Sequence, residues 1–268
     1  QNLVNAYKTD ASGLPLLDTF NDVDVKNDQG LKMEDPFTPH TGPLDPRLDW
    51  TVGRRGILYK DFKIHNLDFI RDQTYAGPYS PKKHVASKAY TLTGVGWTNL
   101  TANNYRLIRY ATVLLWLAEC EVEVGSLARA AELVNLVRNR AANPDDFVKK
   151  AIQGATRDDY TTTSEPAGNY VIKPYASFAT KELARKAVRF ETRLEFAMEG
   201  HRFFDLVRWG IAADVLNAYV TKEGEKRTYK KGSRFQKGKH EYYPLPQEAI
   251  DNAFKAGQPT LVQNPAYK

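Results

Sequence analysis

The chain has 268 residues, of which 42% are hydrophobic, 26% charged and 12% aromatic, and a formal net charge of +6 at neutral pH. That composition excludes a disordered chain and describes a globular protein able to bury a core as one large domain or two small ones. No run approaches the roughly 20 apolar residues of a membrane-spanning helix, the longest dense stretch being Val113–Ala118.

Residues 1–103 hold eight of the 17 glycines and seven of the 14 prolines. Turn signals recur there at Ser12-Gly13, Asp35-Pro36, Gly42-Pro43, Asp45-Pro46 and Gly77-Pro78. An irregular, loop-rich layer is expected, with short helices around 1–8 and 66–72. Trp50, Tyr75, Tyr79 and Trp97 lie among these turns, where side chains are more often exposed than on packed helices. Flat rings of this kind stack on the C–H faces of sugars, although the same rings also serve to staple loops onto a scaffold. Glu34, Asp35, Asp45 and Asp49 could supply the carboxylate pair of a glycoside hydrolase, although acids beside prolines commonly serve turns.

From Tyr105 the pattern becomes helical. Ile108, Ala111, Leu115, Ala118 and Val122 repeat at helical spacing, and Leu107, Leu114, Trp116 and Leu117 widen the stripe until the helix is apolar nearly all round. Gly125 ends it, and Ser126 is placed to cap a second helix whose buried face is Ala130, Leu133, Val134 and Val137, up to Asn143-Pro144. Residues 104–142 therefore predict a helical hairpin like a tetratricopeptide unit, which needs neighbours to cover its faces. The lone cysteine, Cys120, excludes an internal disulfide, and its apolar helical setting predicts a buried structural thiol. Residues 144–179 read as a polar exposed loop.

Lys181–Gly210 is the densest stretch. On a helical wheel Leu183, Ala187, Phe190, Leu194, Ala197 and Met198 share one arc. Arg185, Arg189 and Arg193 form one rail, and Glu191, Glu195 and Glu199 the other. Like charges four apart repel, so partners from other segments are expected around an interior helix, the alternative being a solvated amphipathic helix. Gly200 is the expected helix stop. A second short helix follows at His201–Trp209, with Arg202, Asp205 and Arg208 spaced for mutual pairing. The hallmark helices are placed at 181–216.

Residues 217–268 read as a basic loop and a tail. Lys222–Lys239 carries eight Lys or Arg against two Glu, interleaved with Tyr229 and Phe235. A solvated basic loop explains this run better than nucleic-acid binding, since no nucleic-acid fold signature accompanies it. A short helix is expected at Pro246–Asp251, with Tyr243 and Tyr267 tucked against the core. There is no phosphate-cradling glycine loop, no Gly-x-Ser-x-Gly elbow and no metal-spaced His/Cys cluster, so no catalytic residue, metal or cofactor is assigned.

The run Arg193–Gly210, RLEFAMEGHRFFDLVRWG, resembles the hallmark of the SusD/RagB family of nutrient-binding outer-membrane lipoproteins. The resemblance recurs at Asp45–Trp50 with Gly53-Arg54-Arg55, at Asn104–Tyr110, at Tyr243–Asp251 and at Gln263–Tyr267. It marks Arg189, Arg193, Glu195, Glu199, Gly200, Arg202, Asp205, Arg208 and Trp209 as structural hallmark positions. The resemblance implies one SusD-like domain over 1–268: a mainly α, α–α superhelix with a tetratricopeptide-like hairpin and a large loop-rich capping region. It also implies non-catalytic capture of a glycan or oligopeptide at the cell surface, for uptake through a SusC-like TonB-dependent transporter. The start at Gln1 without an initiator Met fits a processed chain or fragment, with the family's lipid anchor and further N-terminal helices outside it. A glycan-acting hydrolase using the four acids above, or an intracellular helical-repeat scaffold, is the alternative.

Overall fold

A computed structural model gives the structure, which describes residues 1–92, 100–101, 103–255 and 257–268. The chain divides into two compact units, Gln1–Gly200 and His201–Lys268. The architecture is mainly helical, and what strands there are form two-stranded pairs.

The first unit opens with three short helices, α1 (Asn2–Ala6), α2 (Leu48–Thr51) and α3 (Gln73–Ala76), set among turns and small hairpins. One hairpin pairs Leu58–Tyr59 with Lys63–Ile64. This is the irregular layer that the glycine- and proline-rich sequence predicts. Beneath it stand three helices of 15 residues each: α4 (Tyr110–Val124), α5 (Leu127–Ala141) and α6 (Lys181–Glu195). The Ser126 hydroxyl accepts from the Arg129 backbone N–H at 3.4 Å, as its N-cap position predicts, and Thr180 does the same for Leu183 at 3.2 Å.

Helix α6 lies between two cores. Its Ala184, Ala187 and Val188 join Leu115, Ala118, Leu133, Val134 and Val137 of the α4–α5 hairpin. Its Phe190 and Leu194, with Ala197 just beyond, join Val4, Tyr7, Leu44, Leu48 and Val52 of the loop-rich layer. Leu194 is 1% exposed, and truncating a leucine so enclosed costs about 2–5 kcal/mol. The interior-helix reading is correct, and the solvated alternative fails.

Other expectations need correction. Helix α6 stops at Glu195, short of Gly200, and the chain then turns through left-handed backbone at Met198 (φ 66°) and Gly200 (φ 86°). Leu183 and Met198, at the ends of the predicted apolar arc, are exposed. Cys120 is exposed too. It shares a face of α4 with Val113, Trp116, Leu117 and Val124, all exposed, so only half of that all-round apolar helix finds cover in this chain. Residues 144–179 are not simply a loop: Lys149–Gln153 pairs antiparallel with Tyr160–Pro166, where a threonine run supplies β-branched side chains.

In the second unit, α7 (Arg202–Arg208) confirms the short helix, and α8 (Ala212–Lys226) carries helix into the start of the basic run, which was expected to be loop throughout. The tail helix α9 spans Gln247–Asn252. Tyr267 is held by hydrogen bonds from its hydroxyl to the carbonyls of Lys239 (3.2 Å) and Tyr242 (3.0 Å). Tyr243, however, is 85% exposed rather than tucked in. Among the described residues, no helix is long and apolar enough to cross a membrane.

Candidate functional site

The glutamate rail of α6 meets arginines from three other segments. Arg47, one residue before α2, pairs with Asp45 (2.7 Å), Glu191 (2.6 Å) and Glu195 (3.0 Å). Arg138 of α5 pairs with Glu191 at 2.9 Å and donates to the carbonyls of Lys173 (2.7 Å) and Gly13 (2.8 Å). Gly13 needs to be glycine: its φ is 90°, and a Cβ there would lie 2.8 Å from the Ile172 backbone. Arg109, just before α4, binds Glu195 at 2.8 Å and grips Glu199 with two nitrogens at 2.9 and 3.0 Å. Arg140 adds a contact to Glu195 at 2.8 Å, and Lys83 one to Glu199 at 2.6 Å.

Burial alone would raise the Glu195 carboxyl, but Arg47, Arg140 and Arg109 together hold it below the usual glutamate value. Asp45 is likewise held down against burial by Arg47. Such buried ions stay charged only because each has partners, so the network fixes how α6 and the loop-rich layer meet.

Above this network opens a cleft of about 930 Å³. Glu195, Glu199, Arg109 and Arg140 form part of its lining; Trp50, Lys60, Tyr90, Tyr105 and Arg106 also line it. Trp50 is 44% exposed, and its indole N–H donates to the Asp146 carbonyl at 2.8 Å, which fixes the ring. The segment that carries it is pinned by Lys82, whose ammonium donates to the Asp49 (2.5 Å) and Leu58 (2.6 Å) carbonyls. Burial lowers the Lys82 ammonium to about 8. The Asp49 carboxylate is itself taken up by Arg54 (2.6 and 2.8 Å) and the Tyr170 hydroxyl (2.5 Å).

The four aromatic candidates separate. Trp50 lines the cleft, while Tyr75 is exposed elsewhere. Tyr79 is half-buried against the loop-layer core, and its hydroxyl donates to Gln1 at 2.9 Å, so it staples the layer. Trp97 lies outside the described residues. Of the hallmark positions, Glu195 and Glu199 form the network, and Gly200 borders the cleft. Arg193 lies 4.6 Å from the Phe20 ring centroid, and Arg189 is half-buried on the same rail. In the second unit Asp205 pairs with Arg208 at 3.1 Å, and the Trp209 ring lies under both Arg202 (5.8 Å) and Arg208 (5.3 Å). Burial lowers Arg202 to about 10, with Asp205 opposing.

The sequence reading missed Lys60, Tyr90, Tyr105 and Arg106 as cleft residues. Only the cluster of aromatic and basic types around 104–110 hinted at the last two. Asp45 and Asp49, offered there as catalytic acids, are each 0% exposed and ion-paired. Glu34 is exposed on a turn, and the Asp35 carboxylate accepts from the Lys32 backbone N–H at 2.8 Å. Among the described residues, no cluster of His, Cys, Asp and Glu is arranged to hold a metal ion.

A helical hairpin wedged by an ion-paired helix, under a loop-built layer with an aromatic-edged cleft, defines a tetratricopeptide-like helical scaffold. The chain belongs to the SusD family, whose model matches residues 1–267. It is 30% identical over 115 residues to a SusD-like protein of Formosa agariphila, covering 43% of this chain and 17% of that protein. A crystal structure of a SusD homologue from Bacteroides thetaiotaomicron matches 82% of this chain and 40% of its own, at 25% identity and a TM-score of 0.50. A SusD-superfamily structure from Bacteroides vulgatus matches 78% of this chain and 38% of its own, at 23% identity and a TM-score of 0.49. The chain thus spans less than half the length of these relatives.

Proposed function

We propose that this chain belongs to a non-catalytic cell-surface protein that grips a glycan and passes it to a SusC-like TonB-dependent outer-membrane transporter. The protein would be held at the outer membrane by a lipid anchor. One observation carries the binding part. The cleft presents a fixed tryptophan with an accessible ring, while the buried acids nearest to it are locked in ion pairs. A ring held by its own N–H is pre-ordered for stacking on a sugar face and loses little freedom on binding. Asp45 and Asp49, sealed from solvent, cannot flank a glycosidic bond at the separation that hydrolysis requires. Family membership over nearly the whole chain supports the uptake role.

Native gels cast with single polysaccharides test the reading. Retarded migration on at least one of them, with no release of reducing ends, is the expected result, and Trp50→Ala restores free migration. Release of reducing ends by the purified chain would instead establish the hydrolase. The transporter assignment is checked separately, by co-purification of the full-length protein with a TonB-dependent barrel from outer membranes.

A further inference from the structure

Among the described residues, Lys or Arg supplies six of the side chains lining the cleft, and Glu supplies two. Arg47, Lys83, Arg109 and Arg140 are each matched to named carboxylates at 3.0 Å or less. Lys60 and Arg106 are not: among the described residues, neither has a carboxylate within ion-pair distance. The Lys60 ammonium lies over the Trp50 ring instead, 5.7 Å from its centroid, a weaker partner than a carboxylate. Burial pulls the Lys60 ammonium below the ordinary lysine value; neighbouring Asp61 opposes this and Arg106 adds to it. Two cations therefore lie near each other in the cleft beside an accessible ring, and the exposed Tyr90 and Tyr105 belong to the same lining.

The backbone gives a second indication. Lys60 sits at φ 56°, in the left-handed region that favours glycine. A lysine held in so unfavourable a conformation, in a cleft, is strain located where a ligand would meet it.

We propose that this part of the cleft is a subsite for an acidic sugar. Its ring would stack on Trp50 while its carboxylate or sulfate ester takes Lys60 and Arg106 as counter-ions. The inference deepens the glycan-binding reading and rests on it. An arriving anion exchanges the ammonium's contact with the indole for a charge-assisted hydrogen bond, and it relieves the repulsion between the two cations.

The test titrates the 268-residue chain calorimetrically with a galacturonate hexamer, a sulfated galactan oligosaccharide, maltohexaose and inorganic sulfate. At least one acidic oligosaccharide is expected to bind roughly tenfold or more tightly than maltohexaose at low salt, with the preference shrinking as salt rises. The uronate and sulfate arms identify which anion the subsite prefers. Lys60→Gly and Arg106→Gln should each remove most of that preference. Lys60→Gly should do so with an unchanged or raised melting temperature, because glycine accepts the left-handed turn. Maltohexaose binding as tightly as the acidic ligands would overturn the charge assignment while leaving glycan binding intact. Inorganic sulfate competing fully, with Trp50→Ala harmless, would reduce the subsite to an anion site and overturn the sugar. Binding of none of the three oligosaccharides by the folded chain would sink the inference, and a further failure on the polysaccharide gels would take the glycan reading with it.

Discussion

The floor and the mouth of the cleft are made of the same residue types and work in opposite ways. On the floor, Glu195 is met by Arg47, Arg109 and Arg140, and Glu199 by Arg109 and Lys83. At the mouth, Lys60 and Arg106 face the cleft without such partners among the described residues. A cation whose anion lies within the fold contributes to how segments are joined, whereas one that lacks an anion is available to something outside it. Exposure does not draw the same line: Arg140, matched to Glu195, has a side chain that is 58% exposed, while Lys60 is half-buried. Cationic character alone therefore says little about function, and the matching of charges says much more.

The largest expected effect comes from unbalancing the floor. Glu195→Ala removes the buried carboxylate that Arg47, Arg109 and Arg140 share, and breaking a buried pair from one side costs about 3–5 kcal/mol. Against a total stability of about 5–15 kcal/mol, that is a major loss, readable as a lower urea midpoint. An unshifted midpoint would mean that the network does not couple α6 to the layer above it.

Acid should act on the same place more gradually. Glu195, Glu199 and Asp45 all have carboxyls held below their ordinary values in the folded state. Groups lowered on folding contribute stability that is present above the unfolded carboxylate value and is lost as pH falls through the folded one. The melting temperature should therefore stay nearly level from about pH 7 to about pH 5 and fall steeply below that. Glu195→Gln should start lower and fall less steeply, since one of the titrating groups is gone. A parallel curve would place the acid sensitivity elsewhere.

How far the sequence reveals each region follows the same line. The need for the floor was legible: like charges four apart on both rails of Lys181–Glu199 cannot satisfy one another. Their partners were not, because Arg47 lies 148 residues from Glu195 and Arg109 lies 86 away, and spacing carries no information at that range. The helical hairpin was legible through periodicity and the Ser126 cap, but periodicity records only that a face is apolar. It could not tell that Ala118 is covered while Trp116 and Cys120 are not. Tyr243 misled because residue type alone does not say which side chains of an irregular tail are covered. The mouth was least legible, since nothing in Lys60-Asp61 announces a left-handed backbone or places Lys60 in one cleft with Arg106. Trp50 was found by residue type, which did not separate it from Tyr79.

The smallest effect is expected on the far edge of α6, where a pair of good geometry stands in water. Arg185 contacts both carboxylate oxygens of Glu123, at 2.6 and 2.8 Å, with Lys181 nearby. The Arg185 hydrogen bonds, ahead of the contribution from Lys181, hold the Glu123 carboxyl down at about 2. Taken at face value, that shift would rank this pair beside the floor. Solvent argues otherwise: the side chains are 30% and 38% exposed, so water and salt screen the attraction, and two long side chains must be ordered to keep it. Arg185→Ala should therefore leave the urea midpoint within the scatter of repeated measurements, and 0.5 M salt should leave it equally unmoved. If Arg185→Ala cost as much as Glu195→Ala, then geometry rather than burial would decide which ion pairs hold this helix, and the contrast between floor and surface would fail.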